Sequence, residues 1–476
     1  MAEMLSPGVY ITEIDASQIV PTVSNSVAVF SGNFHSGPVN KYQIITSVDE
    51  LITYYGKPSN TNYNDWYQVY NYLQYSNKLL ISRAANTGGT NTPISGVVTS
   101  EEILENTTDT FIVAETTEIK ANDLISLGDD NLNFYFVKSV TTDSLAGETT
   151  IVLDRQIETD FIAGTTVNSY KAHMNGVAEA LKESSTAVIT DDMYYGKYLV
   201  IENSDDYEMK ETSLAFVNND SKIKIIAKNP GKWSEKLEIA IAKPSDFGAS
   251  KKVFDGISLD DLYEYRPTGT QVGIVIRYEE EIKEIFTVDF DINAKDINNK
   301  STYIETVING SSSYIYIKDN VDVTEDIKSY IFDEEGTIEL VLGRDSDIQA
   351  DDLLTAYEVW SNKEEIEIDI IIANELDSGV SAKNLAEARK DCIAFVGAGY
   401  SDTVGKKSSD AVAKLIEWRT TGSLNFNSMF VAAFANYKYQ YDRYSDKNRW
   451  VNIAGDCAGL RSATNTDRAS WWASAG

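Results

Sequence analysis

The chain has 476 residues, 42% of them hydrophobic, with 28 tyrosines, 2 histidines, 2 cysteines and a formal net charge of −32. That is apolar material for about three domains with buried cores, which excludes a disordered chain. No run approaches the roughly 20 apolar residues that cross a bilayer, and the opening MAEMLSPGVYITEID lacks the basic and apolar blocks of an export signal, so cytoplasmic synthesis is expected.

The charge is unevenly spread. Residues 1–90 hold 4 basic and 6 acidic side chains, and residues 380–476 hold 13 basic and 9 acidic. The acidity therefore lies in between, a net −34 over 91–379. Such a surface repels nucleic acid, whose binding requires Lys and Arg against phosphate, and reads as a solvated exterior.

In chain order, Leu5–Glu13 alternates around Pro7-Gly8 and precedes a polar linker; it reads as a strand-like arm or as an edge strand of the chain's own sheet. Val27–Phe30 is a short apolar strand. Ser47-Val-Asp-Glu50 is a capping box opening a helix that Gly56 and Pro58 close. Asp65–Tyr75 places Trp66, Val69, Tyr70 and Leu73 on one helical face, and Leu79–Ser82 is the next strand.

From about 95 to 340 the runs are short and alternating (TFIVAETTEI, FYFVKSV, TTIVLDRQI, KLEIAIAK, VGIVIRY, YIYIKDN), the pattern of antiparallel sheet. One helix is expected around Asn175–Lys182. The strand–helix grammar then returns. Thr337–Leu342 reads as a strand, followed by a helix with Leu353, Leu354, Tyr357 and Trp360 inward. Ile366–Ala373 reads as a buried strand, Ser381–Lys390 as a helix and Cys392–Val396 as a strand. A helix capped by Ser408 or Ser409 carries Val412, Leu415, Ile416 and Arg419 and stops at Gly422; Met429–Phe434 is the last strand.

The predicted fold is α/β plus β: a split α/β domain with a mostly parallel sheet, interrupted by a large β-rich insertion of two nested domains. Its divisions are an arm over 1–22, a core over 23–87 plus 341–476, a β-rich middle domain over 88–96 plus 191–340, and a small β domain over 97–190.

Several stretches imitate active sites. Val396–Ser408 follows a strand and opens a helix, but five residues separate Gly399 from Gly405 and Lys407 intrudes before Ser408, so the phosphate-loop spacing fails. Asp289-Phe-Asp291-Ile-Asn293 starts like a calcium loop, yet Ala294 and Lys300 stand where the turn glycine and the bidentate glutamate belong. His35 and His173 are far apart, which disfavours zinc and Ser-His-Asp sites. Cys392 and Cys457 read as buried free thiols rather than a disulfide. No catalytic, cofactor or metal residues are assigned. Tyr437, Tyr439, Tyr441 and Tyr444, interleaved with Lys438 and Arg443, are expected to pack an extended segment against the α/β domain rather than to stack bases.

Separated motifs resemble one family. They are Leu5–Glu13, Gly32–Pro38, Tyr55-Gly-Lys-Pro58, Leu80-Ile-Ser-Arg-Ala84 and Asn229-Pro-Gly-Lys-Trp-Ser-Glu-Lys-Leu-Glu-Ile239. The most specific is NYKYQYDRYSDKNRW at 436–450. Together they resemble the tail-sheath proteins of contractile-tailed bacteriophages, strongly over 1–87 and 336–476 and weakly over 95–225.

The resemblance implies a mechanical subunit without cofactor. Hexameric rings stack helically around a tail tube above a baseplate and contract to drive the tube through a host envelope. It also implies that an N-terminal strand, here Leu5, Val9, Tyr10, Ile11, Thr12 and Glu13, adds to a neighbour's sheet. The family's chains continue beyond the point matching Trp471, Trp472 and Gly476. The expectation is therefore a protomer without its C-terminal domain, monomeric in dilute solution, assembled in the host cytoplasm and placed in the virion tail, with no nucleic-acid or membrane partner. The sheath of a phage-tail-like bacteriocin or injection system is the alternative, and an α/β nucleotide-binding enzyme a more remote one.

Overall fold

A computed structural model describes residues 26–87, 97–182, 200–211, 221–319, 337–340, 343–420 and 428–474, with gaps at 106, 117–118, 121–122, 129–133, 158, 171–173, 249–250 and 255. The first region supplies β1 (Ala28–Asn33), β2 (Tyr42–Ile45), α1 (Val48–Tyr55), α2 (Tyr63–Leu73) and β3 (Leu79–Ala84). The Ser47 hydroxyl accepts the Glu50 N–H at 3.2 Å, capping α1. The Glu50 carboxylate accepts from the Thr46 N–H and hydroxyl instead of from Ser47, so the box closes one residue early. Gly56, at φ 74°, ends the helix as only glycine does at little cost. α2 buries Trp66, Tyr67, Val69 and Tyr72, while Tyr70 and Leu73 are half-buried. The expected single stripe is too narrow because α2 is covered from more than one side.

The middle of the chain is antiparallel. β4 (Thr110–Ala114), β5 (Leu124–Leu127), β6 (Phe134–Asp143), β7 (Glu148–Leu153) and β8 (Val167–Tyr170) form one sheet in the order β4-β7-β6-β5-β8. It closes over Phe111, Val113, Ile125, Tyr135, Val137, Ile151 and Leu153. Then come β9 (Val177–Lys182), α3 (Ser204–Lys210), β10 (Ser221–Ala227), β11 (Leu237–Ala242), β12 (Lys252–Val253), β13 (Ile257–Ser258) and α4 (Leu259–Leu262). β14 (Gln271–Tyr278), β15 (Glu281–Asp289), α5 (Ile304–Ser311), β16 (Ile315–Asp319) and β17 (Ile338–Glu339) complete the region. Sheets β16-β10-β9 and β15-β14-β11-β17 share an isoleucine-rich core that includes Ile225, Ile239, Ile274, Ile308 and Ile317.

Two expectations fail here. The segment expected as a helix at Asn175–Lys182 is strand β9, paired antiparallel with β10 from Val177↔Ile226 to Lys182↔Ser221. Its Ala, Glu, Leu and Lys residues favour helix locally, and the open edge of β10 overrides that weak preference. The strand expected at Thr337–Leu342 is only the two residues of β17, and it pairs with β11 of the antiparallel sheet rather than with the parallel one. Residues 341–342 lie outside the described residues.

The final region brings α6 (Ala350–Glu358), β18 (Ile370–Ala373), α7 (Glu375–Arg389), β19 (Ile393–Gly397), α8 (Tyr400–Thr403), α9 (Ser408–Thr420) and β20 (Val431–Phe434). It ends with β21 (Tyr437–Asp442), β22 (Lys447–Asn452) and α10 (Ala454–Asp467). One six-stranded sheet, β2-β3-β1-β18-β19-β20, joins both ends of the chain. β1 pairs in parallel with β3 on one side and with β18 on the other, in register Ala28↔Ile370, Val29↔Ile371, Phe30↔Ile372. Only β2 runs antiparallel in this sheet. On one face Tyr357, Trp360, Leu385 and Trp418 close a core supplied by α6, α7, α9 and flanking turns. On the other, Leu51, Trp66, Tyr72 and Ala458 supply it from α1, α2 and α10.

α7 starts six residues before the expected Ser381, with the Ser378 hydroxyl donating back to the Asn374 carbonyl. α10 was not expected. Its Ala454, Gly455, Ala458, Gly459 and Ser462 are buried, and a methyl on Gly455 would lie 2.3 Å from the Gln68 carbonyl oxygen of α2. Small residues are there so that two helix backbones can touch.

Candidate functional sites

Counting only the parallel strands, the sheet order is second-first-third-fourth-fifth, with the chain reversing direction between β1 and β18. In doubly wound sheets a ligand sits outside the carboxyl ends of the strands at that reversal. Here the position carries an acidic side chain, beside an open cleft of about 690 Å³ lined by Asn33, His35, Asn62, Asp123, Arg344 and Asp345. The Asp65 carboxylate from α2 accepts the Asn33 N–H at 2.7 Å and the Asn374 side-chain amide at 2.9 Å. A carboxylate held where a phosphate would need donors disfavours anionic ligands.

In the phosphate-loop look-alike the strand end is packed by protein, while residues 405–410 are exposed. A methyl on Gly397 would meet the Asn452 side chain at 2.7 Å, and the Ala398 carbonyl accepts the Tyr437 hydroxyl at 2.7 Å. The nearest side chain to Gly399 is the Asp402 carboxylate. In the calcium-loop look-alike the carboxylates serve as turn staples. Asp289 accepts from the Thr270 and Thr302 hydroxyls, Asp291 from the Asn293 N–H, and Asp296 from the Asn298 and Lys300 N–H groups. Among the described residues no group of three His, Cys, Asp or Glu could hold a metal. Cys392 is buried and its thiol is pushed up to about 12, while the half-buried Cys457 is raised as well, so neither is a poised thiolate. His173 lies outside the described residues.

The structure brings together two motifs that the sequence carried separately. Arg83, fully buried at the end of β3, donates from Nε to the Phe34 carbonyl at 2.9 Å and from Nη1 to the carbonyls of Gly37 and Pro230 at 3.3 and 2.6 Å. Burial pulls its pKa down to about 10, with Asp345 opposing. The Pro230 loop is the Asn229–Ile239 motif. Gly231, at φ 141°, donates its N–H to Met174, Trp233 enters the isoleucine-rich core, and Lys232 donates its N–H to Asp345 at 2.9 Å. Beside this joint Glu279 bridges Lys236 at 2.7 Å and Lys57 at 3.5 Å. His35 is half-buried there; burial lowers its pKa, with Asp345 and Glu279 opposing and Arg83 and Lys236 reinforcing. The Arg83 guanidinium thus joins the parallel and antiparallel regions, together with the Val39 N–H donated to the Glu202 carbonyl at 2.9 Å, the Asn203 side-chain amide donated to the Val39 carbonyl at 2.9 Å and the Lys41–Asp205 pair at 2.7 Å. The signal for it was a lone arginine ending an apolar strand, Leu-Leu-Ile-Ser-Arg83.

The tyrosine-rich string is a β-hairpin, β21 with β22, rather than a single extended segment. Asp442, fully buried, accepts from the Tyr67 hydroxyl at 2.9 Å and from Arg449 Nε at 2.6 Å, fixing the hairpin to α2. Burial pushes this carboxyl up, but the hydrogen bonds from Arg449, Ser445 and Tyr67 hold it below the usual carboxylate range. Tyr439 and Tyr441 contradict the packing expectation: they are 61% and 56% exposed, because period-two alternation turns them to solvent. Of the residues that the α9 helix carries, Val412 and Ile416 are outside, 53% and 58% exposed, while Trp418 is buried. Leu354 of α6 is exposed too. The arm residues Leu5, Val9, Tyr10, Ile11, Thr12 and Glu13 lie outside the described residues.

Known proteins are similar to this sequence. It is 25% identical over 512 aligned residues to the tail sheath protein of Enterobacteria phage T4, covering 99% of this chain and 74% of that one. It is 23% identical over 542 residues to the tail sheath protein of Vibrio phage KVP40, covering 99% and 75%. No protein-family profile matches it. Crystal structures of sheath tail proteins from Desulfitobacterium hafniense and Listeria innocua align with TM-scores of 0.38 and 0.34 at 10% and 7% identity. Those alignments cover 96% and 92% of this chain and 62% and 56% of the solved chains, so the chain spans less than two thirds of their length. A mixed α/β and β chain with one parallel sheet and several antiparallel ones is the class of protein that this fold defines. Within that class, this chain is a homologue of the bacteriophage tail sheath proteins.

Proposed function

We propose that this chain is a structural subunit of the contractile tail sheath of a bacteriophage and not an enzyme. The observation that carries this is its alignment to two phage tail sheath proteins over 99% of its length, acidic middle included. Copies stack as rings of six around the tail tube above a baseplate, and the stack contracts to drive the tube through the host envelope for genome ejection. Such a subunit works by the free-energy difference between two arrangements of contacts, which calls for rigid bodies joined by tethers rather than for a reaction site. The Asp65 carboxylate, held where an anionic ligand of a doubly wound sheet would sit, supports that reading.

In the finer reading the core is 23–87 plus 341–476, the β-rich domains over 88–340 project outward, and Leu5–Glu13 adds as a strand to a neighbour. The subunit assembles in the host cytoplasm. Antibodies against the chain, applied to phage lysates and viewed by electron microscopy, should decorate contractile tails along their length, and disrupting the gene should leave naked tubes. Decorated tails that carry no capsid would indicate the bacteriocin or injection-system form. Intact sheaths in the absence of the chain would sink the proposal.

A further inference from the structure

We infer that copies of this chain meet head to tail, with the outer face of α9 on one copy against the outer face of α6 on the next. This rests on the sheath reading above. α9 buries only Trp418 and partly covers Ala411 and Leu415, leaving Val412 and Ile416 more than half exposed. Around them, residues 406–420 carry 4 basic and 2 acidic side chains. The outward stripe of α6 is Asp351, Leu354, Thr355 and Glu358, with Leu354 43% exposed. Residues 345–369 around it carry 9 acidic side chains and 1 basic.

Both helices contribute to the same face of the parallel sheet. α6 packs on β1 and β3, and α9 connects β19 to the outermost strand β20. The two patches therefore sit toward opposite ends of one layer and differ in sign. A two-fold contact would set like charge on like charge, whereas a head-to-tail contact pairs basic with acidic and propagates into a ring or a helix. Leu354, Val412 and Ile416 supply an apolar centre, and the charged rim sets orientation and suppresses the wrong pairing.

The variants Ile416→Cys and Leu354→Cys, each in a Cys457→Ser background that leaves only the buried Cys392 besides the new thiol, test this with a short bismaleimide at high protein concentration. The cross-linked dimer should form when the two variants are mixed and scarcely from either alone. Adding Asp351→Lys and Glu358→Lys to the Leu354→Cys chain should cut the yield about tenfold. Adding Lys406→Glu, Lys407→Glu and Lys414→Glu to the Ile416→Cys chain should restore it. These positions are exposed, and an unchanged melting curve checks that the fold is kept. Equal dimer from Ile416→Cys alone overturns the inference, and so does the absence of dimer from the mixture. Decorated contractile tails together with no cross-link would leave the sheath reading standing and remove this contact.

Discussion

The parallel sheet and the antiparallel sheets differ in how their strands meet water. β18 is four apolar residues, Ile370-Ile-Ile-Ala373, all buried, because helices cover both faces of its sheet. β15, at the edge of an antiparallel sheet, alternates exposed and half-buried side chains along Glu281–Thr287. Cover decides how much charge a region can carry. A sheet enclosed on both sides has no strand face for carboxylates, so the acidity falls on the half-open sheets and their loops and, in the parallel region, on the outer side of α6 and the turns beside it. The two regions keep separate cores and are joined by polar contacts, among them the Arg83 guanidinium and the bonds of Val39 and Lys41 to residues 202–205.

The largest expected effects test whether the cores are separate. Trp360 is fully buried and donates its indole N–H to the Ser31 hydroxyl at 2.8 Å. Trp360→Ala should cost the parallel region about 3–5 kcal/mol and Ile274→Ala the antiparallel region about 2–5 kcal/mol. Calorimetry should then show each variant moving a different transition; one common transition lowered by both would break the comparison. Arg83→Met removes the donors to three carbonyls and should cost about 3 kcal/mol, read as the two transitions drawing apart.

A smaller effect follows pH. Burial lowers the pKa of His35 in the folded state, so as pH falls below about 6.5 the unfolded chain takes up this proton first. The contribution is fully present above that value and is lost as pH drops toward the folded pKa. His35→Gln should flatten the pH dependence of melting over that window, and an unchanged slope would remove His35 from the account. Smallest, Lys57→Ala breaks only the exposed half of the Glu279 bridge and should change denaturant midpoints by less than about 1 kcal/mol equivalent.

The covered strands were legible because burial on two sides writes continuous apolar runs, and α1 was legible because its Ser47 cap and Gly56 stop are local devices. What failed depended on partners distant in sequence. β9 is a strand because β10 offers an edge. α10 is a helix among glycines because α2 lies against it, and Val412 and Ile416 face outward although their spacing imitates a core stripe. The Arg83 clamp was visible as a residue but not as a joint, since its acceptors come from Phe34, Gly37 and Pro230.

One consequence of the split sheet concerns synthesis. The Val27 N–H reaches its partner Asp369 across 342 residues of chain. At ribosomal rates of roughly 5–20 residues per second, the middle strand of the sheet waits roughly 17–70 s for its neighbour. During that interval the edge of β1 that will receive β18 is open, a template for pairing with other nascent chains on the same message. The segment made meanwhile carries most of the negative charge, so mutual repulsion between polysome-bound chains guards the unfinished sheet until Ile370–Ala373 arrives.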